Sequence, residues 1–414
     1  MYLFRRALLT VTILATLLVP VETGAARPQT DEVRGLWVLR STLTTPARIT
    51  ELVRTAVDGG YNTLIVQVRG RGDAYYRSAL EPRAAELTGQ PATFDPLALT
   101  IERAAAAGLR VHAWFNVNLV ASAVAPPNTR NHIAVREPGW LMVPAPLART
   151  LVRLEPSAPA YVAQLARWTR AQSDSVEGMF LSPIPEASQQ YTLSIVRDLL
   201  VRYKLDGLHL DYIRYPTAEF DYSKGALQAF RAHHGPKASP AEQARLDTRT
   251  KQDPLVWTAT FPEAWEDFRR ERLDRLVTRI RDLTRETRPG AVVSAAVVPV
   301  AEDARRFKLQ DWSLWARTGL IDVVCPMAYA TATQDFSRQI ADAKAGAHGR
   351  PVWAGIGAWR LPVSRTIDHL RAARRHQVEG VLMYSYDSLM TAVSPRGRYF
   401  TQLRAALVEI DGPQ

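Results

Sequence analysis

The chain has 414 residues, 47% of them hydrophobic and 22% charged, with a formal charge of +11. Such length and apolar content support a large core and exclude a disordered chain or a small disulfide-stapled one. One cysteine, Cys325, excludes an intramolecular disulfide and a cysteine-rich metal centre, and the positive charge is spread along the chain with no nucleic-acid-binding motif.

The N-terminus has the pattern of an export signal. Arg5 and Arg6 precede an apolar run from Ala7 to Val19, and Gly24-Ala25-Ala26 supplies small residues for cleavage after Ala26. The run is roughly 13 residues long, short of the about 20 that a membrane span needs. No later segment is long and apolar enough to span. The expectation is therefore a cleaved signal over 1–26, an exported periplasmic or extracellular protein, and no membrane span after cleavage.

Short apolar runs then alternate with helical patterns. "VRGLWVLRS" (33–41) reads as a strand, followed by a helix closed by Gly59-Gly60. "NTLIVQVRG" (62–70) is the second strand, "DPLALTIERAAAAGL" a helix stopped at Gly108, and "RVHAWFNVNLV" (110–120) the third strand. A helix in "QYTLSIVRDLLVRYK" feeds the fourth strand, "DGLHLDYIRYP" (206–216). The long helix "AWEDFRRERLDRLVTRIRDLTRETRPG" ends at Pro289-Gly290 and leads to "AVVSAAVVPV" (291–300). After a helical "LQDWSLWARTG", the sixth to eighth strands are "IDVVCPMAY" (321–329), "PVWAGIGAW" (351–359) and "GVLMYSYDS" (380–388), the last preceded by the helix pattern of 363–378.

Eight strands alternating with helices predict parallel βα units closed into a (β/α)8 TIM barrel, α/β in class, as one domain over 27–414. Long loops follow strands three and four, from about 121 to 185 and from 217 to about 261. Both should lie at the C-terminal face, where such barrels place their substrates.

Alternation along each strand separates its two faces. In the fourth, Leu208 and Leu210 suit the helical layer, while His209 and Asp211 point inward. The second strand directs Gln67 and Arg69 inward, and the third His112, Trp114 and Asn116. In the eighth, Asp387 shares a face with Val381, Met383 and Ser385. Asp73 in the "GRGDAYYRS" loop after the second strand, Tyr329 after the sixth and Trp359 after the seventh join the same mouth. Inward polar groups are costly unless paired, so a convergence at the catalytic end favours a site. Asp206, at the start of its strand, reads instead as a structural acceptor, and His112 as a core residue. Histidines 112 and 209 with aspartates 73 and 211 could form a metal set, as in a polysaccharide deacetylase, but no HxH or HExxH spacing supports it. Neither a metal nor a cofactor is expected.

The segments "RGLWV", "VQVRGRGDAYYRSALEP", "FDPLALTIERAAAAGLRVHAWFN", "YKLDGLHLDYIRYP" and "IDVVCPMAY", in that order, resemble the glycosyl-hydrolase-like family 10 proteins over roughly residues 33 to 390. The resemblance implies an exported bacterial glycosidase-type barrel acting on an envelope polysaccharide, with peptidoglycan glycan strands as the leading substrate. The family usually carries a second acid beside the matching aspartate, where this chain has Tyr212. A fainter likeness to chitinase-type barrels keeps Asp206 and Asp211 but has Ile213 where their acid stands.

Glycoside hydrolysis usually takes two carboxyl groups. The candidates are Asp211, expected to act ionised beside Arg69 or Arg214, with Asp73 or Asp387 as its partner and Glu302 and Asp303 behind them. An N-acetylated substrate could instead supply its own nucleophile, with Tyr329 orienting it. Trp37, Arg69, Asn116, His209, Arg214, Tyr215, Tyr329 and Trp359 are the candidate substrate-binding residues. The rival from another class is a non-catalytic glycan-binding barrel. The sequence points to no particular protein partner.

Overall fold

The computed structural model of the chain describes residues 32–391 and 398–408. The expected signal over 1–26 lies outside them. The described residues form ten strands: β1 (Val33–Val38), β2 (Thr63–Arg69), β3 (Arg110–Asn116), β4 (Leu119–Ala121), β5 (Met179–Phe180), β6 (Gly207–Asp211), β7 (Val292–Val297), β8 (Val323–Ala328), β9 (Trp353–Ile356) and β10 (Gly380–Tyr384). Eight of these close into a barrel in the order β1-β10-β9-β8-β7-β6-β3-β2, while β4 and β5 form a separate antiparallel pair. Every barrel pairing is parallel. The chain is thus a (β/α)8 barrel, as the alternating pattern predicts.

The two faces of the strands separate by hydrophobicity and size. Leu36, Val38, Leu64, Val66, Val111, Ala113, Leu208, Leu210, Val381 and Met383 pack in the large core between sheet and helices. Val33, Trp37, Ile65, Trp114, Val323, Cys325, Trp353 and Leu382 form a second cluster on the opposite faces, inside the barrel. Three tryptophans fill a space that smaller branched residues usually occupy in such barrels. Their bulk requires the absence of side chains elsewhere: a Cβ on Gly355 would meet the Trp37 ring at 2.8 Å, and one on Gly207 would meet His112 Nδ1 at 2.2 Å.

Helix starts carry the expected chemistry. Thr45, Asp95, Ser223 and Ser239 each accept a backbone N–H in the first turn, and Pro46, Pro96 and Pro240 open their helices without wasting a donor. Asp206 Oδ2 accepts the Val111 N–H at 2.8 Å, and Asp322 does the same for Val293 at 2.9 Å, so these two acids tie neighbouring strands at the end remote from the mouth.

The eighth strand is shorter than its sequence pattern. Strand β10 stops at Tyr384, and Tyr386–Thr391 is a helix. Leu382 and Tyr384 point inward, whereas Val381 and Met383 face the helical layer. The two long loops contain structure of their own. The first holds the helices Ile133–Arg136, Ala145–Leu151 and Pro159–Ala171, and the second Lys224–His234, Pro240–Thr250 and Val256–Thr260.

Candidate active site

The C-terminal ends of the barrel strands surround a cavity of about 530 Å³. Parallel pairing sets Asn116 directly beside Asp211 and Trp37 beside Tyr384, each at or next to the C-terminal end of its strand. The lining includes Trp37, Gln67, Trp114, Asn116, Asp211, Arg214, Tyr329, Trp359 and Tyr384.

Asp211 is held on both oxygens. Trp114 Nε1 donates to Oδ2 at 3.0 Å, and the Tyr212 N–H donates to Oδ1 at 2.6 Å. Trp114 shares the same N–H with Asn116 Oδ1 at 2.9 Å, and Asn116 Nδ2 donates to the Gly70 carbonyl. Orientation of the carboxyl therefore passes from the β2 loop through Asn116 and Trp114. Tyr212 has φ of +49°, a left-handed backbone uncommon for an aromatic residue, and this turn brings its N–H back onto Asp211. Asp211 is only 7% exposed, and its desolvation pushes the carboxyl up to about 6. Arg214, Tyr212 N–H and Trp114 pull the other way without offsetting burial. Of the two arginines expected beside this carboxyl, Arg214 is outweighed by burial and Arg69 is committed to Glu81.

Aromatic rings form one wall. Tyr329 and Tyr384 stack with centroids 5.4 Å apart, and Trp359 meets both edge-on at 5.0 and 5.2 Å. Trp37 contacts both tyrosines at 6.5 and 6.0 Å. Flat, partly polar faces of this kind suit sugar rings. Arg40, Arg71 and Arg214 bring positive charge to the lining. Arg214 Nη2 pairs with Glu177 Oε1 at 2.7 Å, and its guanidinium lies 4.8 Å over the Tyr212 ring. Its Nε and Nη1 are buried without a partner among the described residues. Buried donors left unsatisfied in this way call for an acceptor from a ligand or water.

Seven sequence candidates are not among the residues lining this cavity. Arg69 is fully buried in a bidentate pair with Glu81 and lies 4.7 Å over Phe115, because the β2–β3 register shifts between Gln67 and Arg69. Alternation is lost at that bulge, so the residue expected to point inward points out. His209 is buried deeper in the barrel. Its Nε2 accepts from Trp37 Nε1 at 3.0 Å and its Nδ1 meets Ser294 Oγ at 2.9 Å, so neither nitrogen is free for substrate or metal. Burial lowers it to about 3 and keeps it neutral. Tyr215 is buried, with its hydroxyl on the Arg269 carbonyl. Asp73 folds back on the Arg71 N–H within its loop, past Gly72 at φ +68°. Asp387 sits in the helix after β10 and accepts from the Leu39 N–H, Ser41 Oγ and Thr42 Oγ1, tying the last strand to the first. Glu302 and Asp303 are exposed on the helix Ala301–Lys308.

Sequence reasoning missed Glu177 and Tyr384. Glu177 lies in the long loop after β4, where no periodicity marks orientation, and only β5 brings it to the mouth. Tyr384 was hidden by reading the eighth strand on the wrong face. Among the described residues, no group of three His, Cys, Asp or Glu is arranged to hold a metal.

The comparisons with known proteins agree with this geometry. A family model described as "Glycosyl hydrolase-like 10" matches residues 32–352. Glycosyl hydrolase DigH of Escherichia coli K12 is 26% identical over 291 residues, covering 65% of this chain and 55% of that protein. Glycosyl hydrolase YngK of Bacillus subtilis is 25% identical over 290 residues, covering 65% and 46%. The chain thus aligns with about half the length of these relatives. The PgaB glycoside hydrolase domain of Bordetella bronchiseptica shares the fold with a TM-score of 0.60 at 15% identity, over 90% of this chain and 99% of that one. The β-galactosidase Gan42B of G. stearothermophilus does so with a TM-score of 0.59 at 14% identity, over 92% and 57%. With a family match that spans most of its barrel, the chain belongs to the glycosyl hydrolase-like 10 family.

Proposed function

We propose that the protein is an exported glycoside hydrolase of peptidoglycan glycan strands, with Asp211 as general acid and Glu177 as the second carboxylate. The observation that carries this reading is Asp211 itself: a carboxyl desolvated at the end of the fourth barrel strand, in an aromatic-walled cavity, raised to about 6. A carboxyl raised this far toward neutrality retains a protonated fraction that can donate to a glycosidic oxygen. Glu177 lines the same cavity and stands ion-paired to Arg214, fit to activate water or to stabilise positive charge on the sugar. Its presence favours hydrolysis over binding alone. Membership of the family and the names of the two relatives support the reaction class. The arginines of the mouth suit a glycan bearing carboxylates, as peptidoglycan strands do.

The test is to incubate the protein with peptide-free peptidoglycan strands, chitin oligomers and α-glucans, and to follow new reducing ends and released acetate. Cleavage of the peptidoglycan strands is expected, and Asp211→Asn should lower it at least 100-fold, on the scale of a lost catalytic acid, while glycan affinity changes little. Glu177→Gln should act similarly. Binding of strands without cleavage by wild type would make this a glycan-binding barrel, and acetate release without new ends would make it a deacetylase.

A further inference from the structure

The insert that follows the fourth barrel strand packs on the start of the long helix Pro262–Thr287 in a hydrophobic cluster separate from the two of the barrel. Ala226, Phe230, Leu246, Val256, Trp257, Trp265 and Phe268 bury one another with Ile184. A barrel helix does not need such an insert, and its outer surface is not featureless. A cavity of about 230 Å³ opens where the helix Lys224–His234 meets the end of the helix Pro240–Thr250 and the residues following Leu151. Four cations line it, Arg153, Lys224, Arg231 and Lys251, over an apolar floor that includes Leu227 and Trp257. A neighbouring hollow of about 350 Å³ shares Arg231, Thr250 and Lys251, and also contains Asp247.

The charges are only partly matched. Arg231 pairs with Asp247 at 2.7 Å, and Lys224 has Glu155 no nearer than 3.9 Å. Among the described residues, no carboxylate lies within ion-pair distance of Arg153 or Lys251. The four cations over an apolar floor suit an anionic ligand that also has an apolar face, rather than a hydrocarbon. None of these residues lines the barrel cavity.

We propose that this insert holds a second carbohydrate site, specific for a sugar bearing a carboxylate. The volume admits about one sugar ring, whose apolar face would rest on the floor and whose carboxylate would meet Arg153 and Lys251. A site of this kind retains an acidic strand beside the barrel and raises the local concentration of cleavable bonds. It does not depend on the reaction assigned to Asp211; it shares with that assignment only the choice of a glycan as probe.

The experiment is titration calorimetry with a soluble muramic acid-containing disaccharide, and with the same sugar after its carboxylate is amidated. Wild type should show two classes of site, one of which is lost in the double variant Arg153→Glu/Lys251→Glu and kept in Trp359→Ala. The lost class should weaken at least tenfold in Lys251→Gln and should fade between about 0.05 and 0.5 M salt, as exposed ion pairs do. The amidated sugar should miss that class. Loss of the other class in Trp359→Ala reports separately on the barrel cavity, so failure there leaves this proposal standing, and the reverse. An isotherm unchanged by the double variant overturns it, as does equal binding of the amidated sugar. So does binding of phosphatidylglycerol vesicles that the double variant abolishes while sugar binding persists, which would make the patch a lipid-surface contact.

Discussion

At the scale of single residues, environment rather than residue type separates the aspartates. Asp211 ends a barrel strand and Asp387 follows one, yet the first is desolvated in a cavity and the second accepts from three donors at the junction of β1 and β10. Asp211 has a definite pH signature. Its folded carboxyl titrates at about 6 against an ordinary value of 3.8, so the folded state holds the extra proton between those limits. Stability from this group is therefore greatest below the lower limit, falls as pH rises through the window, and is fully lost above about 6. Activity that needs the protonated acid should instead fall above this window, with kcat dropping above an apparent pKa near 6. A pH series of kcat and of melting temperature checks both, and Asp211→Asn should flatten the stability curve across that window. Rising kcat through pH 6 to 8 would contradict the acid role and restore an ionised one. Asp387→Asn should behave differently. It loses acceptor capacity for the Leu39, Ser41 and Thr42 donors and should cost about 1–2 kcal/mol of stability while turnover at saturating substrate changes less than about threefold.

At the scale of elements, the bulge at the end of β2 decides what Arg69 does. Arg69 is clamped to Glu81, Tyr191 donates to the same carboxylate at 3.0 Å, and the guanidinium also reaches the carbonyls of Asn116 and Val117. The ends of β2 and β3, the loop after β2 and the helix Glu186–Arg202 are joined through this one buried ion pair. Removing one partner strands the other charge in the core. Arg69→Met should therefore lower unfolding free energy by about 3–5 kcal/mol, measured by denaturant titration. The double variant Arg69→Met/Glu81→Gln should recover part of the loss. A single variant with unchanged stability would contradict the clamp. Because Asn116 is attached to both the clamp and Trp114, the single variant should also loosen the orientation of Asp211, seen as lower kcat in the fraction that stays folded.

At the scale of the whole molecule, the expected signal leads to a prediction about the mature chain. Fractionation of an expressing bacterium followed by N-terminal sequencing should find the protein outside the cytoplasm, beginning near Arg27. An intact Met1 in the cytoplasmic fraction would remove export. The barrel was legible in the sequence by itself, because helices buried on one face leave a period of 3.6, the apolar runs between them are too short to be helices, and polar residues near the strand ends still alternate with apolar ones. The same local rule put Asp211 and Asn116 at the mouth and Asp206 at the far end of its strand. It failed wherever chain geometry departs from a regular period: at the bulge that turns Arg69 outward, and at β10, whose early end puts Asp387 on a helix and Tyr384 in the cavity. Glu177 was out of reach for a deeper reason. A loop residue is positioned by contacts distant in sequence, here by β4, β5 and Arg214, and no local pattern encodes them. The raised carboxyl of Asp211 was likewise decided only by tertiary burial, since desolvation depends on everything packed around a group and not on its neighbours in the chain.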